Sequence, residues 1–92
     1  MRIELEKNDL MQIAEWLVEK PDGRFMEIEL SNLLIEVEYF IEFDGYVEED
    51  TGVYICTFAN ANILNITSVE VDAEVIFDEK ALSLMVETIL TR

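Results

Sequence analysis

The chain has no histidine and a single cysteine, Cys56. Without histidine, the commonest general base and the commonest transition-metal ligand are both missing, and neither a Cys-His nor a Ser-His-Asp arrangement can be assembled. A lone thiol excludes an intramolecular disulfide, and with it the cross-linked scaffold of many small secreted domains. The three glycines (Gly23, Gly45, Gly52) and the one proline (Pro21) all fall where turns are expected, so there is no glycine-rich phosphate loop. No apolar run approaches the roughly 18 residues that span a bilayer, and the first residues lack the basic start and apolar run of a signal peptide. From these absences the chain is expected to be non-enzymatic, without cofactor or metal, and cytoplasmic.

Positive charge is scarce as well. Six Lys and Arg stand against 21 Asp and Glu, a net charge of −15, and from Phe25 to Glu79 there are fourteen acids and no Lys or Arg at all. Such a surface repels nucleic-acid phosphates and anionic lipid and attracts basic surfaces, so direct nucleic-acid binding and membrane binding are disfavoured. The chain is nevertheless 51% hydrophobic, with five Phe, three Tyr and one Trp, which is too apolar for a disordered acidic segment. At 92 residues it suits one domain, 1–92, with a modest core.

The pattern is organised around Leu33 to Phe43, LLIEVEYFIEF. Leu33, Ile35, Val37, Tyr39, Ile41 and Phe43 fall on one side of an extended strand, and Glu36, Glu38 and Glu42 on the other. Before it, Phe25 to Leu30 alternates, and Ser31-Asn32 is short enough for a two-residue hairpin. Pairing Leu30 with Leu33 sets Ile28 against Ile35, Met26 against Val37 and Glu27 against Glu36, the last a like-charge pair. After it, Asp44-Gly45 reads as a bulge and Glu49 to Gly52 as the turn into a third strand, about Val53 to Leu64, in which Ala59 faces Ile41, Ala61 faces Tyr39 and Ile63 faces Val37. A turn at Asn65 to Ser68 leads to a fourth strand, Val69 to Phe77.

Helical spacing brackets these strands. Asp9, with Gln12 three residues on, caps a first helix whose stripe is Leu10, Ile13, Ala14 and Leu17; it ends near Lys20, before Pro21-Asp22-Gly23, with Trp16 at the stripe's boundary. Asp78 caps a last helix with Leu82, Met85, Val86 and Ile89 inward. Met1 to Glu6 alternates, with Met1, Ile3 and Leu5 against Arg2, Glu4 and Glu6, a pattern that suits a short edge strand and equally a frayed lead into the first helix. The expected fold is α+β and two-layered, a four-stranded antiparallel meander with an N-terminal and a C-terminal helix on one face.

Two features stand out for function. Glu27, Glu29, Glu36, Glu38, Glu42, Glu70, Asp72 and Glu74 are expected on the sheet face away from the helices, with no basic residue interspersed, although soluble surfaces usually mix signs. Phe25, Phe40, Tyr54 and Phe58, with Leu34, Leu64 and Ile76, share that face and would form an apolar patch among carboxylates. Solvation alone accounts for many acidic faces, and the hairpin acids Asp44, Glu48, Glu49 and Asp50 lack the alternating spacing of a calcium loop. The reading drawn is a non-enzymatic interaction protein whose acidic surface engages a basic protein, of inhibitor, immunity or chaperone type, with a nucleic-acid mimic as its sharpest form. The alternative is an assembly subunit that uses the aromatic face for homo-oligomer contacts, a dimer, and charge only for solubility.

Overall fold

A computed structural model describes all residues, Met1–Arg92. The elements run β1 (Arg2–Glu4), α1 (Lys7–Leu17), β2 (Phe25–Leu30), β3 (Leu33–Val47), β4 (Tyr54–Ser68), β5 (Glu74–Ile76) and α2 (Glu79–Thr91). The class is α+β, with a three-stranded antiparallel sheet in the order β2-β3-β4 and a separate parallel pair, β1 with β5.

Alternation in β2 and β3 produces the expected pairing. Leu30 faces Leu33, Ile28 faces Ile35, Met26 faces Val37 and Glu27 faces Glu36. Ile28, Leu30, Ile35, Val37, Tyr39 and Ile41 are buried, and with Ala61, Ile63 and Ile66 of β4 they form the sheet's share of the core. Leu10, Ile13, Ala14 and Leu17 of α1 and Leu82 and Val86 of α2 supply the other layer. Burying a side chain of this size is worth about 1.5–3 kcal/mol, so this single cluster carries most of the driving force for folding.

The helix ends follow local chemistry. The Glu6 N–H donates to Asp9 Oδ2 at 2.8 Å, so α1 starts at Lys7, earlier than a cap at Asp9 would place it. It stops at Leu17, and Pro21 follows. Asp78 caps α2, its Oδ1 accepting from the Ala81 N–H at 3.0 Å. Trp16 is not at a packed boundary: it is 56% exposed.

β3 and β4 differ more from the expected plan. Both are 15 residues long, and Ile41 faces Ala61 while Tyr39 faces Ile63, two positions from the predicted register. A slip of two keeps every side chain on its face, which is why alternation alone does not detect it. Two bulges adjust the ladder. Leu64 is the extra residue between the Asn65–Glu38 and Ile63–Tyr39 pairs, and Thr57 is the extra residue opposite Asp44 and Gly45. At the second bulge the strands approach so closely that a Cβ on Gly45 would run into the Ile55 carbonyl oxygen. The turn closes at Gly52, whose φ of +71° suits glycine.

The four-stranded meander is not formed. β4 runs on through Asn65 to Ser68 to match the length of β3, consuming the residues read as a turn. Val69 and Val71 are exposed, and only Glu74–Ile76 of the expected fourth strand is extended. That short strand pairs in parallel with β1, the Leu5 N–H donating to the Ile76 carbonyl and the Glu74 N–H to the Met1 carbonyl, each at 2.9 Å.

The strand and helix lengths do not match. Fifteen residues of strand span about 50 Å, close to the molecule's longest extent of 51 Å. The 11 and 13 residues of α1 and α2 reach only about 16 and 20 Å. Beyond Phe43 on β3, and before Ala61 on β4, the hairpin therefore extends past the helical layer as a two-stranded ribbon.

Candidate interaction surface

The side of β2 and β3 away from the helices carries Glu27 and Glu29 on one strand and Glu36, Glu38 and Glu42 on the next. Each alternates with a core residue, and all are exposed except Glu38, which is half-buried. Glu27 lies directly opposite Glu36, and no strand of this three-stranded sheet contains Lys or Arg. The other three candidate acids lie elsewhere: Glu70 and Asp72 in the irregular segment after β4, and Glu74 in β5, where it pairs with Arg2 across the second sheet. Their placement follows from the lost fourth strand.

The aromatic residues divide into two groups. Phe25 pairs in register with Glu38, and Phe40 with Asn62, so both stand on the acidic face. Phe25 is 62% exposed, whereas Phe40 is half-buried beneath the Arg24 guanidinium, 4.3 Å from its ring centre. Arg24 is thus the cation at the border of this acidic face, held by cation–π attraction. Tyr54 and Phe58 are out on the ribbon with Tyr46, Val47 and Val53, all exposed. Leu64 projects at its bulge, Leu34 is half-buried on β3, and half-buried Ile76 belongs to the second sheet.

Where the ribbon leaves the helices there is an apolar groove of ≈ 460 Å³. Phe43, Val53, Tyr54, Ile55 and Cys56 form one wall, and the ends of the helical layer, Val18, Pro21, Ile89, Leu90 and Arg92, form the other. Sequence reasoning ended the organising strand at Phe43 and so missed this groove. The signal was present in Val53 to Cys56, four consecutive apolar residues where strict alternation would have left a polar face.

Electrostatics at the ribbon's base centre on Tyr39. Its hydroxyl donates to the Lys20 carbonyl at 2.7 Å, tying the α1–β2 connection to the core. Burial, and then the charge of Asp22, push this phenol above its usual range. The Tyr54 phenol is also raised, first by partial desolvation and then by Cys56 and Asp44. No group of three acidic or thiol side chains converges in a geometry that could hold a metal ion.

The free edges of the sheet are treated differently. On β4, the Glu87 carboxylate of α2 accepts the Ala61 N–H at 2.8 Å, occupying a donor that would otherwise point outward. On β3, β2 ends at the Phe25–Glu38 pair, with one further bond from the Tyr39 N–H to the Arg24 carbonyl at 2.9 Å. Beyond that point the β3 edge has no strand beside it.

No helix is long and apolar enough to cross a membrane. No family model matches the chain, and no curated protein or solved structure matches it.

Proposed function

We propose that the protein is a non-enzymatic interaction module whose acidic sheet surface engages a basic partner protein. The observation that carries this reading is the set Glu27, Glu29, Glu36, Glu38 and Glu42 on two adjacent strands, with Glu27 set against Glu36. Like charges directly opposite on a sheet oppose folding, and nothing in the fold requires them there. A single-sign field of this kind speeds encounter with a surface of opposite charge and selects against acidic ones. An inhibitor, an immunity protein and a chaperone for a basic client would each use such a face, and a nucleic-acid mimic is its most specialised form.

The test is affinity capture from source lysate at low and at high salt, using the native protein and a variant with Glu27, Glu29, Glu36 and Glu38 all changed to Gln. The expected result is a basic protein held by the native chain at low salt, released at high salt and not held by the variant. Equal capture by both chains would overturn the reading.

A second reading is favoured by one observation, the exposed Tyr46, Val47, Tyr54 and Phe58 on the uncovered ribbon. An assembly subunit would place such residues at contacts between copies, and its association would not depend on the four glutamates.

A further inference from the structure

The uncovered edge of β3 has a definite length and polarity. The Tyr39 N–H points outward to Arg24, and the Glu48 N–H points inward to the Val53 carbonyl at 2.8 Å. By strand alternation Ile41, Phe43, Gly45 and Val47 therefore all direct their backbone groups outward. Only the Gly45 N–H has a partner, its neighbour's Asp44 Oδ1 at 2.8 Å. Unpaired strand edges are templates for another strand.

We propose that this edge pairs antiparallel with the same edge of a second copy, forming a twofold dimer centred on Asp44. This locates the contact for the assembly reading and does not depend on the acidic-face reading. Full overlap of the free stretch places Ile41 opposite the second copy's Val47 and Phe43 opposite the second copy's Gly45. Both matches suit the side chains, since an exposed valine gains an apolar neighbour and the large Phe43 meets a residue without a side chain.

Charge complementarity supports the same register. Phe40 falls opposite the second copy's Glu48, and Arg24 already lies over the Phe40 ring. Each copy's arginine thus meets the other's glutamate, twice by symmetry, as an isologous interface requires. A slide that brought the ribbon tip further along β3 would be stopped by β2, which begins at Phe25. The register sets one like-charge pair at the centre, Asp44 against Asp44, which makes the proposal specific enough to fail.

The experiment is sedimentation equilibrium on the protein alone. The native chain should show a concentration-dependent dimer, and Asp44→Asn should tighten it by several-fold or more by removing the central repulsion. Val47→Pro should weaken it by about tenfold or more, because it deletes an outward N–H and leaves the β3–β4 ladder intact. Arg24→Glu should also weaken it, and adding Glu48→Arg to that change should restore it. Circular dichroism and the thermal midpoint establish that each variant is folded. A monomer at the highest soluble concentration for both the native chain and Asp44→Asn would overturn the proposal. So would a dimer indifferent to Val47→Pro in a folded variant, which would place the contact elsewhere.

Discussion

The two halves of the β3–β4 hairpin are both rich in apolar residues and end in opposite surroundings. In the inner half Ile35, Val37 and Tyr39 are completely buried. In the outer half Tyr46, Val47, Val53 and Tyr54 are about half exposed or more, although they are as apolar as their inner counterparts. The difference lies in the helices, which end before the strands do. Alternation specifies which side of a strand is apolar; the length of the neighbouring layer decides whether that side is covered.

The largest expected effect tests this contrast directly. Leu82→Ala, which empties a fully buried site of α2 against the inner half, should cost about 2–5 kcal/mol in urea unfolding. Phe58→Ala on the ribbon should change stability by less than about 0.5 kcal/mol. Equal losses would mean that the ribbon belongs to the core and the contrast is false.

An intermediate effect is expected at Tyr39, the buried tyrosine at the junction of the halves. Tyr39→Phe removes the bond to the Lys20 carbonyl and should cost about 1 kcal/mol near neutral pH. Its folded pKa is raised above the ordinary value of 10.0, by burial and then by Asp22. The neutral phenol therefore favours the folded state fully below the unfolded pKa, and that contribution is lost as pH rises through the raised one. Native protein should lose stability on the alkaline side, and Tyr39→Phe should show a flatter alkaline limb in urea titrations. Parallel limbs would separate Tyr39 from the alkaline transition.

The smallest effect concerns the acidic face of the inner half. Glu36→Thr relieves the pair with Glu27 and sets threonine beside Thr67, and should stabilise by about 0.2–1 kcal/mol. Added salt should raise the melting temperature of the native protein more than that of the variant. A destabilised variant would show that the glutamate serves the fold after all.

Much of this architecture was legible in the residues. Periodicity identified both helices, the Asp78 cap, the β2–β3 register and the position of the second bulge, because local sterics and side-chain facing determine each of them. The fate of residues 65–77 was not legible. Asn65 to Ser68 carries turn-forming residues, yet the β3 ladder extends it, and Val69 to Phe77 alternates cleanly, yet only three of its residues pair. Both outcomes depend on partners distant in sequence, which propensity does not encode. For the same reason the inner glutamates of β2 and β3 could be grouped from their spacing, whereas Glu70, Asp72 and Glu74 could not.

The bond from Glu87 to the Ala61 N–H bears on how far assembly could proceed. In the language of polymer chemistry, a sheet protein with two reactive ends is a difunctional monomer and grows into a chain. Here α2 passivates the inner part of the β4 edge at Ala61 with a carboxylate, and the β2 edge is six residues long and carries two glutamates. The reactive groups that remain lie on the ribbon, along the outer parts of β3 and β4. Coupling through β3 is self-complementary and closes at two units, and a longer product would have to grow through the outer edge of β4.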